Sequence, residues 1–156
     1  MADDQRPEQA SHPAADLSLP EPFASWFVGR GWALRPHQAG LIASAQAGKG
    51  GLVIAPTGGG KTLAGFLPSL IDLSARAPGA RPAALHTLYV SPLKALATDV
   101  ARNLSTPVAE MGLDLSIEIR TGDTSASRRQ RQRARPPDIL LTTPEQLALL
   151  IASEHA

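Results

Sequence analysis

The residues from Gly51 to Thr62, Gly-Leu-Val-Ile-Ala-Pro-Thr-Gly-Gly-Gly-Lys-Thr, have the types and spacing to hold a phosphate. An apolar run, Leu52 to Ala55, reads as a buried parallel strand. Three glycines then turn the chain into an apolar-periodic segment, Leu63 to Leu73, that reads as a helix. Glycines let a backbone curl without Cβ clashes, so the N–H groups of Thr57, Gly58, Gly59 and Gly60 can converge on one anion. The helix start adds the positive end of its dipole. In such a loop Lys61 reaches the β- and γ-phosphates of a nucleotide and the Thr62 hydroxyl ligates Mg²⁺. Lys61 and Thr62 are therefore the candidate catalytic residues, and Thr62 the candidate metal ligand. Ala55 stands where glycine usually opens such a loop, but a strand end needs no special backbone angle. The competing reading is a glycine-rich turn that binds nothing.

The elements that must position this loop can be traced along the chain. Residues 1–20, rich in Pro, Ala, Asp and Gln and without periodicity, read as a disordered tail, and residues 21–156 as one domain. A helix opens at Pro22, with Phe23, Trp26 and Phe27 on one face, and stops at Gly29 to Gly31. A second starts near Pro36, buries Leu41, Ile42 and Ala45, and ends at Gly48. Pro68 should kink the helix after the loop, and Ala75 to Pro82 is a loop. Strands follow at Leu85 to Val90, Leu115 to Arg120 and Asp138 to Thr142. Between them lie a helix from Leu93 to Asn103, a short helical turn at Thr106-Pro107, and an arginine-rich helix or loop from Ser125 to Arg135. A last helix begins at Glu145. Strands alternate with helices, so the fold class is α/β, in three layers about a mostly parallel sheet.

Composition narrows the class further. The 156 residues suffice for one domain with a real core, and 43% hydrophobic content fits a globular protein. There is no cysteine, which excludes disulfides and thiolate metal sites. The four histidines show no ligand spacing. The start of the chain lacks the apolar segment of a secretory signal, and no run approaches membrane-spanning length, so the expected location is cytoplasmic. Residues 1–25 carry net −4 and residues 26–156 net +5. A mildly basic body suits a polyanionic partner.

Ligands of open α/β sheets bind beyond the carboxyl ends of the strands. Those ends here are Thr57 to Thr62, Ser91-Pro92-Leu93-Lys94, Thr121-Gly122-Asp123 and Thr142-Thr143-Pro144-Glu145. The bland explanation for each is helix capping by Ser91, Thr121 or Thr143. Their repetition along one edge favours a track of phosphates, with the nucleotide loop at one of its stations.

These stretches together resemble the first RecA-like domain of a superfamily-2 DExH-box helicase. Arg35-Pro36-His37-Gln38 is similar to the adenine-reading glutamine motif and Ala55 to Thr62 to motif I. Ser91 to Leu96 is similar to motif Ia, Thr121-Gly122-Asp123 to motif Ic, and Thr142 to Glu145 to motif Ib. The resemblance covers residues 22–152 and is closest to the Lhr-like group, within it to bacterial ligase-associated DNA helicases. It implies ATP and Mg²⁺ as cofactors, with Gln38 on the adenine edge, Arg35 nearby, and Phe27 or Trp32 either stacked on the base or packed in the core. It implies that Lys94, Thr121, Gly122 and Thr143, in turns that include Ser91, Pro92 and Pro144, touch the backbone of one DNA strand with little sequence preference. DNA ligase and nuclease repair partners follow from the same resemblance.

Arg128, Arg129, Arg131, Arg133 and Arg135 either line the DNA path or form a solvated helix face, and the sequence does not choose between them. Aromatic content of 4% argues against a base-stacking single-strand module. The Asp-Glu-x-His of motif II is absent from these 156 residues, so the expectation is an N-terminal piece of a longer helicase, with hydrolysis dependent on later motifs. Two alternatives stay open: a P-loop kinase or other NTPase with the arginines as a phosphate lid, and a non-catalytic nucleic-acid-binding module.

Overall fold

The computed structural model describes residues 18–76 and 84–153. Most of the expected tail, and most of the loop expected at Ala75 to Pro82, lie outside the described residues. The tail's last part is not detached from the body: Leu19 packs against the core.

Six helices and three strands follow in order among the described residues: α1 (Phe23–Gly29), α2 (Pro36–Gln46), α3 (Lys61–Ser74), β1 (Thr87–Val90), α4 (Lys94–Glu110), β2 (Ile117–Arg120), α5 (Ala126–Ala134), β3 (Ile139–Thr142) and α6 (Pro144–Ile151). The strands form a parallel sheet in the order β1-β3-β2. Leu88, Leu140 and Glu118 are in register, as are Val90, Thr142 and Arg120. Register partners in a parallel sheet share a face. One face therefore carries Tyr89, Ile117, Ile119, Ile139 and Leu141, and the other Glu118, Arg120, Leu140 and Thr142.

The first face is the core. The apolar residues of α3, Phe66, Leu67, Leu70 and Leu73, recur at helical spacing, as do Ala97, Val100, Leu104 and Val108 of α4. They join Phe23 and Phe27 of α1 in a single buried cluster on Ile139 and Leu141. Full burial of a leucine such as Leu67 or Leu70 contributes about 1.5–3 kcal/mol. Phe66 also meets Tyr89, with ring centroids 5.5 Å apart.

Three expectations need correction. Leu52 to Ala55 joins no strand among the described residues, and Leu52 and Ile54 are 85% and 86% exposed. Its apolar character is what a doubly covered parallel strand needs, but among the described residues no strand pairs with it. The helix that follows β1 does not stop at Asn103. It runs through Thr106 and Pro107 to Glu110, because Leu104, Pro107 and Val108 are all buried on one stripe; that burial outweighs the hydrogen bond lost at proline. In α2, Ile42 is buried but Ala45 is exposed, and the buried polar residue is Gln38. α3 continues helical through Pro68.

Candidate nucleotide and nucleic-acid site

Gly58 and Gly60 have φ of +78° and +73°, in the left-handed region that favours glycine. Gly59 is needed for space instead: a Cβ there would lie 2.8 Å from the Pro56 carbonyl oxygen. Gly60 caps α3, so Lys61 and Thr62 form the first turn of a fourteen-residue helix whose free N–H groups adjoin the loop. Nζ of Lys61 donates to the carbonyls of Ala55 at 2.7 Å and Pro56 at 2.8 Å. The cation thus lies on its own loop, while the Thr62 side chain is exposed beside it. Backbone donors, a cation and a hydroxyl at a helix N-terminus fit a polyphosphate with one protein ligand for Mg²⁺. Among the described residues no group of three acids or histidines could hold a metal unaided.

Gln38 is only 3% exposed. Its Oε1 accepts from the backbone N–H of Arg35 at 2.9 Å, capping α2, and its Nε2 lies against Gly60. Arg35 donates to the Gly58 carbonyl at 3.4 Å. A cavity of about 530 Å³ opens here, lined by Phe27, Trp32, Arg35, Gln38, Gly58 and Gly60. Phe27 belongs to the core, whereas Trp32 is 49% exposed on the cavity wall. Trp32 is held edge-on to Trp26 at 5.5 Å, and the Arg30 guanidinium stacks over both indoles at 4.8 and 5.2 Å. Arg30 and the Trp26 Nε1–H both donate to Glu110, whose carboxyl is held below its ordinary value by Trp26 first and Arg30 second.

The three strand ends form a second cluster. Lys94 donates to both carboxylate oxygens of Asp123, at 2.9 and 3.1 Å, and lies close to Gly122. Glu145 is held below its ordinary value by its own backbone N–H first, then by the Thr143 hydroxyl and the Lys94 charge. The turns after β1, β2 and β3 thus share one electrostatic patch. Ser91, Thr121 and Thr143 do not cap helices with their side chains. The Ser91 hydroxyl accepts from Leu93 N–H inside its turn, and neither Leu93 nor Thr143 makes a side-chain cap. Ser91, Thr121 and Thr143 are buried, at 1%, 9% and 4% exposure, while Pro92, Gly122 and Pro144 are exposed.

Gly60 and Thr62 border a cavity against Thr106 and Pro107, near the end of α4 remote from Lys94.

The arginines of α5 divide. Arg131 and Gln132 donate to Glu118 at 3.0 and 2.8 Å, and Arg128 pairs with it at 3.5 Å. Arg129 donates to the Gly122 carbonyl at 2.8 Å. Burial raises the Glu118 pKa, but the hydrogen bonds from Gln132 and Arg131 and the charges of Arg131 and Arg128 bring it below the ordinary value of 4.5. A lowered folded pKa stabilises above the unfolded value and loses that stabilisation as pH falls through the folded one. Amide exchange protection of α5 should therefore drop below about pH 4.5, and Glu118→Gln should show the weaker protection already at pH 7. Protection that is the same in both proteins at pH 7 would mean that Glu118 does not dock α5.

A DEAD/DEAH box helicase family model matches residues 35–156. The chain is 46% identical over 140 residues to the Lhr helicase/probable uracil glycosylase of Mycolicibacterium smegmatis, covering 82% of this chain and 9% of that protein. It is 37% identical over 146 residues to the ATP-dependent helicase Lhr-Core of Methanocaldococcus jannaschii, covering 86% and 17%. Its structure matches that of Mycobacterium smegmatis helicase Lhr bound to single-stranded DNA and AMP-PNP, with a TM-score of 0.72 and 42% identity over 85% of this chain and 18% of that one. It matches the DUF1998 helicase MrfA bound to DNA with a TM-score of 0.74 and 32% identity, over 88% and 19%. The chain thus spans less than a fifth of the length of these relatives.

Proposed function

The chain belongs to the DEAD/DEAH box helicase family, and on that premise we propose that it is the ATP- and DNA-backbone-binding part of a longer ATP-dependent DNA helicase of Lhr type. The observation that carries this reading is the glycine cradle at Gly58 to Gly60, on a helix N-terminus and with the buried Gln38 amide against it. ATP supplies the phosphoanhydride whose cleavage drives movement in such a helicase. This chain's part is to bind and orient it. The loop N–H groups and Lys61 take the phosphates, Thr62 ligates Mg²⁺, Arg35 lies beside the loop, and Gln38 reads the base. Lys94, Thr121, Gly122 and Thr143 hold one DNA strand by its phosphates, with Ser91, Pro92 and Pro144 shaping the turns. Support for that role is the shared charge patch at the three strand ends. DNA ligase and nuclease partners and a cytoplasmic setting are part of the same proposal. Among the described residues no helix is long and apolar enough to cross a membrane.

Gln38 provides a specific test. Its Nε2 faces the cavity side of Gly60 while one lone pair of Oε1 is committed to Arg35. A second lone pair remains for the adenine amino group, with Nε2–H for N7. Gln38→Ala should weaken ATP by about two- to ten-fold, one net hydrogen bond, and GTP less. The ratio of the two affinities, measured by competition against a fluorescent analogue, is insensitive to the lost helix cap. An unchanged ratio would show that Gln38 does not read the base.

A further inference from the structure

Arg120 ends β2 and is only 5% exposed. Its side chain makes no hydrogen bond or ion pair among the described residues, and its Nε is buried without a partner. Buried arginines are normally paired, because desolvating a cation is costly. The nearby acids are committed elsewhere: Glu118, on the same face of β2, to Arg128, Arg131 and Gln132, and Asp123 to Lys94. What surrounds Arg120 is more positive charge. Arg129 and Arg133 of α5 act on it electrostatically, adding to the burial that already disfavours its cation. Arg129 spends Nη2 on the Gly122 carbonyl, while its own Nε is also buried and unpartnered.

We propose that Arg120, Arg129 and Arg133 form an anion site at the carboxyl end of β2 that takes a phosphate of the nucleic-acid backbone. The site rests on the nucleic-acid reading above and adds the buried Arg120 to two of the α5 arginines that the sequence offers as lining the DNA path. Its position is the first argument: Arg120 immediately precedes Thr121-Gly122, at the edge where Lys94 and Thr143 also lie. Chemistry is the second. Arg120 on the strand and Arg129 on the helix each keep a buried Nε without a partner, and guanidinium donors from two elements suit the oxygens of a tetrahedral phosphate better than one planar carboxylate, which two forks would saturate. Arg129 has a further part as a positioning residue: by gripping the Gly122 carbonyl it fixes the turn, so that the loop and the guanidinium groups meet the same phosphate.

The proposal predicts an unusual pairing of effects. Arg120→Met fills the same space without a buried unpaired charge, so the DNA-free variant should melt at or above the temperature of the unaltered chain. Its affinity for a fluorescent oligothymidylate, read by anisotropy, should nevertheless fall about ten-fold. The slope of log affinity against log salt should shrink by about 0.7, one phosphate contact on a single strand. Arg129→Lys and the exposed-site change Arg133→Ala should weaken DNA in the same direction, and all three should leave nucleotide affinity alone. If Arg120→Met and Arg133→Ala keep the original DNA affinity and slope while Lys94→Ala loses affinity, the arginine site is wrong and the nucleic-acid reading stands. A lower melting temperature with unchanged DNA binding would assign Arg120 to a structural or carboxylate partner and overturn the proposal. If Arg120→Met does not fold, Arg133→Ala decides alone: unchanged DNA affinity and slope overturn the site. Failure of the unaltered chain to bind the oligonucleotide would overturn both readings.

Discussion

Purified as these 156 residues, the chain should bind ATP and leave it intact, with or without single-stranded DNA. On the proposed reading the loop supplies binding groups: backbone N–H donors, Lys61 and Thr62. Hydrolysis asks for more. A carboxylate must organise the metal, a second must position the attacking water, and positive charge must meet the transferring phosphoryl group. An arginine finger alone is worth about 10³–10⁵ in rate. No Asp-Glu-x-His occurs in the sequence, and Asp123 and Asp138 precede no such pattern. Asp123 is moreover engaged by Lys94, and Asp138 accepts from the backbone N–H and hydroxyl of Ser116 at the amino end of the sheet. The assay is phosphate release, with Lys61→Ala as the control for contaminating ATPases. DNA-stimulated turnover at about one per second or more, within the range of complete enzymes, and abolished by Lys61→Ala, would show that the chain carries a whole active site.

Lys61→Ala should reduce affinity for a fluorescent ATP analogue by roughly ten- to a hundred-fold, the worth of one charge-assisted contact of about 1.5–3 kcal/mol. In the structure the ammonium rests on the Ala55 and Pro56 carbonyls, so binding requires it to exchange those partners for phosphate oxygens. Both carbonyls lie near solvent, which makes the exchange inexpensive. Circular dichroism on the variant separates loss of contact from loss of fold. Unchanged affinity in a folded Lys61→Ala protein would remove the phosphate loop from the account.

The glycine turn before α3 was legible because its geometry constrains the residue type: left-handed angles at Gly58 and Gly60 and lack of room at Gly59 leave glycine alone in those places. Three strands and the helices around them were legible from periodicity, to within a few residues at their ends. The apolar run Leu52 to Ala55 looked equally strand-like, but a strand is defined by its neighbours, and no amount of apolar character supplies one. Thr106-Pro107 suggested a break. The helix persists because Leu104 and Val108 continue the buried stripe on either side of it. Gln38 stands out in the sequence through the Arg-Pro-His-Gln resemblance, but its second role, capping α2 with its side-chain carbonyl, depends on the fold. Arg120 carries no motif of its own and stands beside five arginines downstream. The signal was present in the alternation of Ile117 and Ile119 with Glu118 and Arg120, which sets the arginine on the face that α5 covers. Its missing partner is a property of three dimensions.

Amide resonances test, residue by residue, whether the loop before α3 holds the phosphates of ATP. Titrating isotope-labelled protein with ATP and Mg²⁺ should move the backbone N–H signals of Gly58, Gly59, Gly60, Lys61 and Thr62 most, together with the side-chain amide of Gln38. Resonances of α5 and α6 should stay nearly still. Saturating nucleotide that leaves the Gly58 to Thr62 signals in place, or moves a different region instead, would contradict the assignment of the nucleotide site.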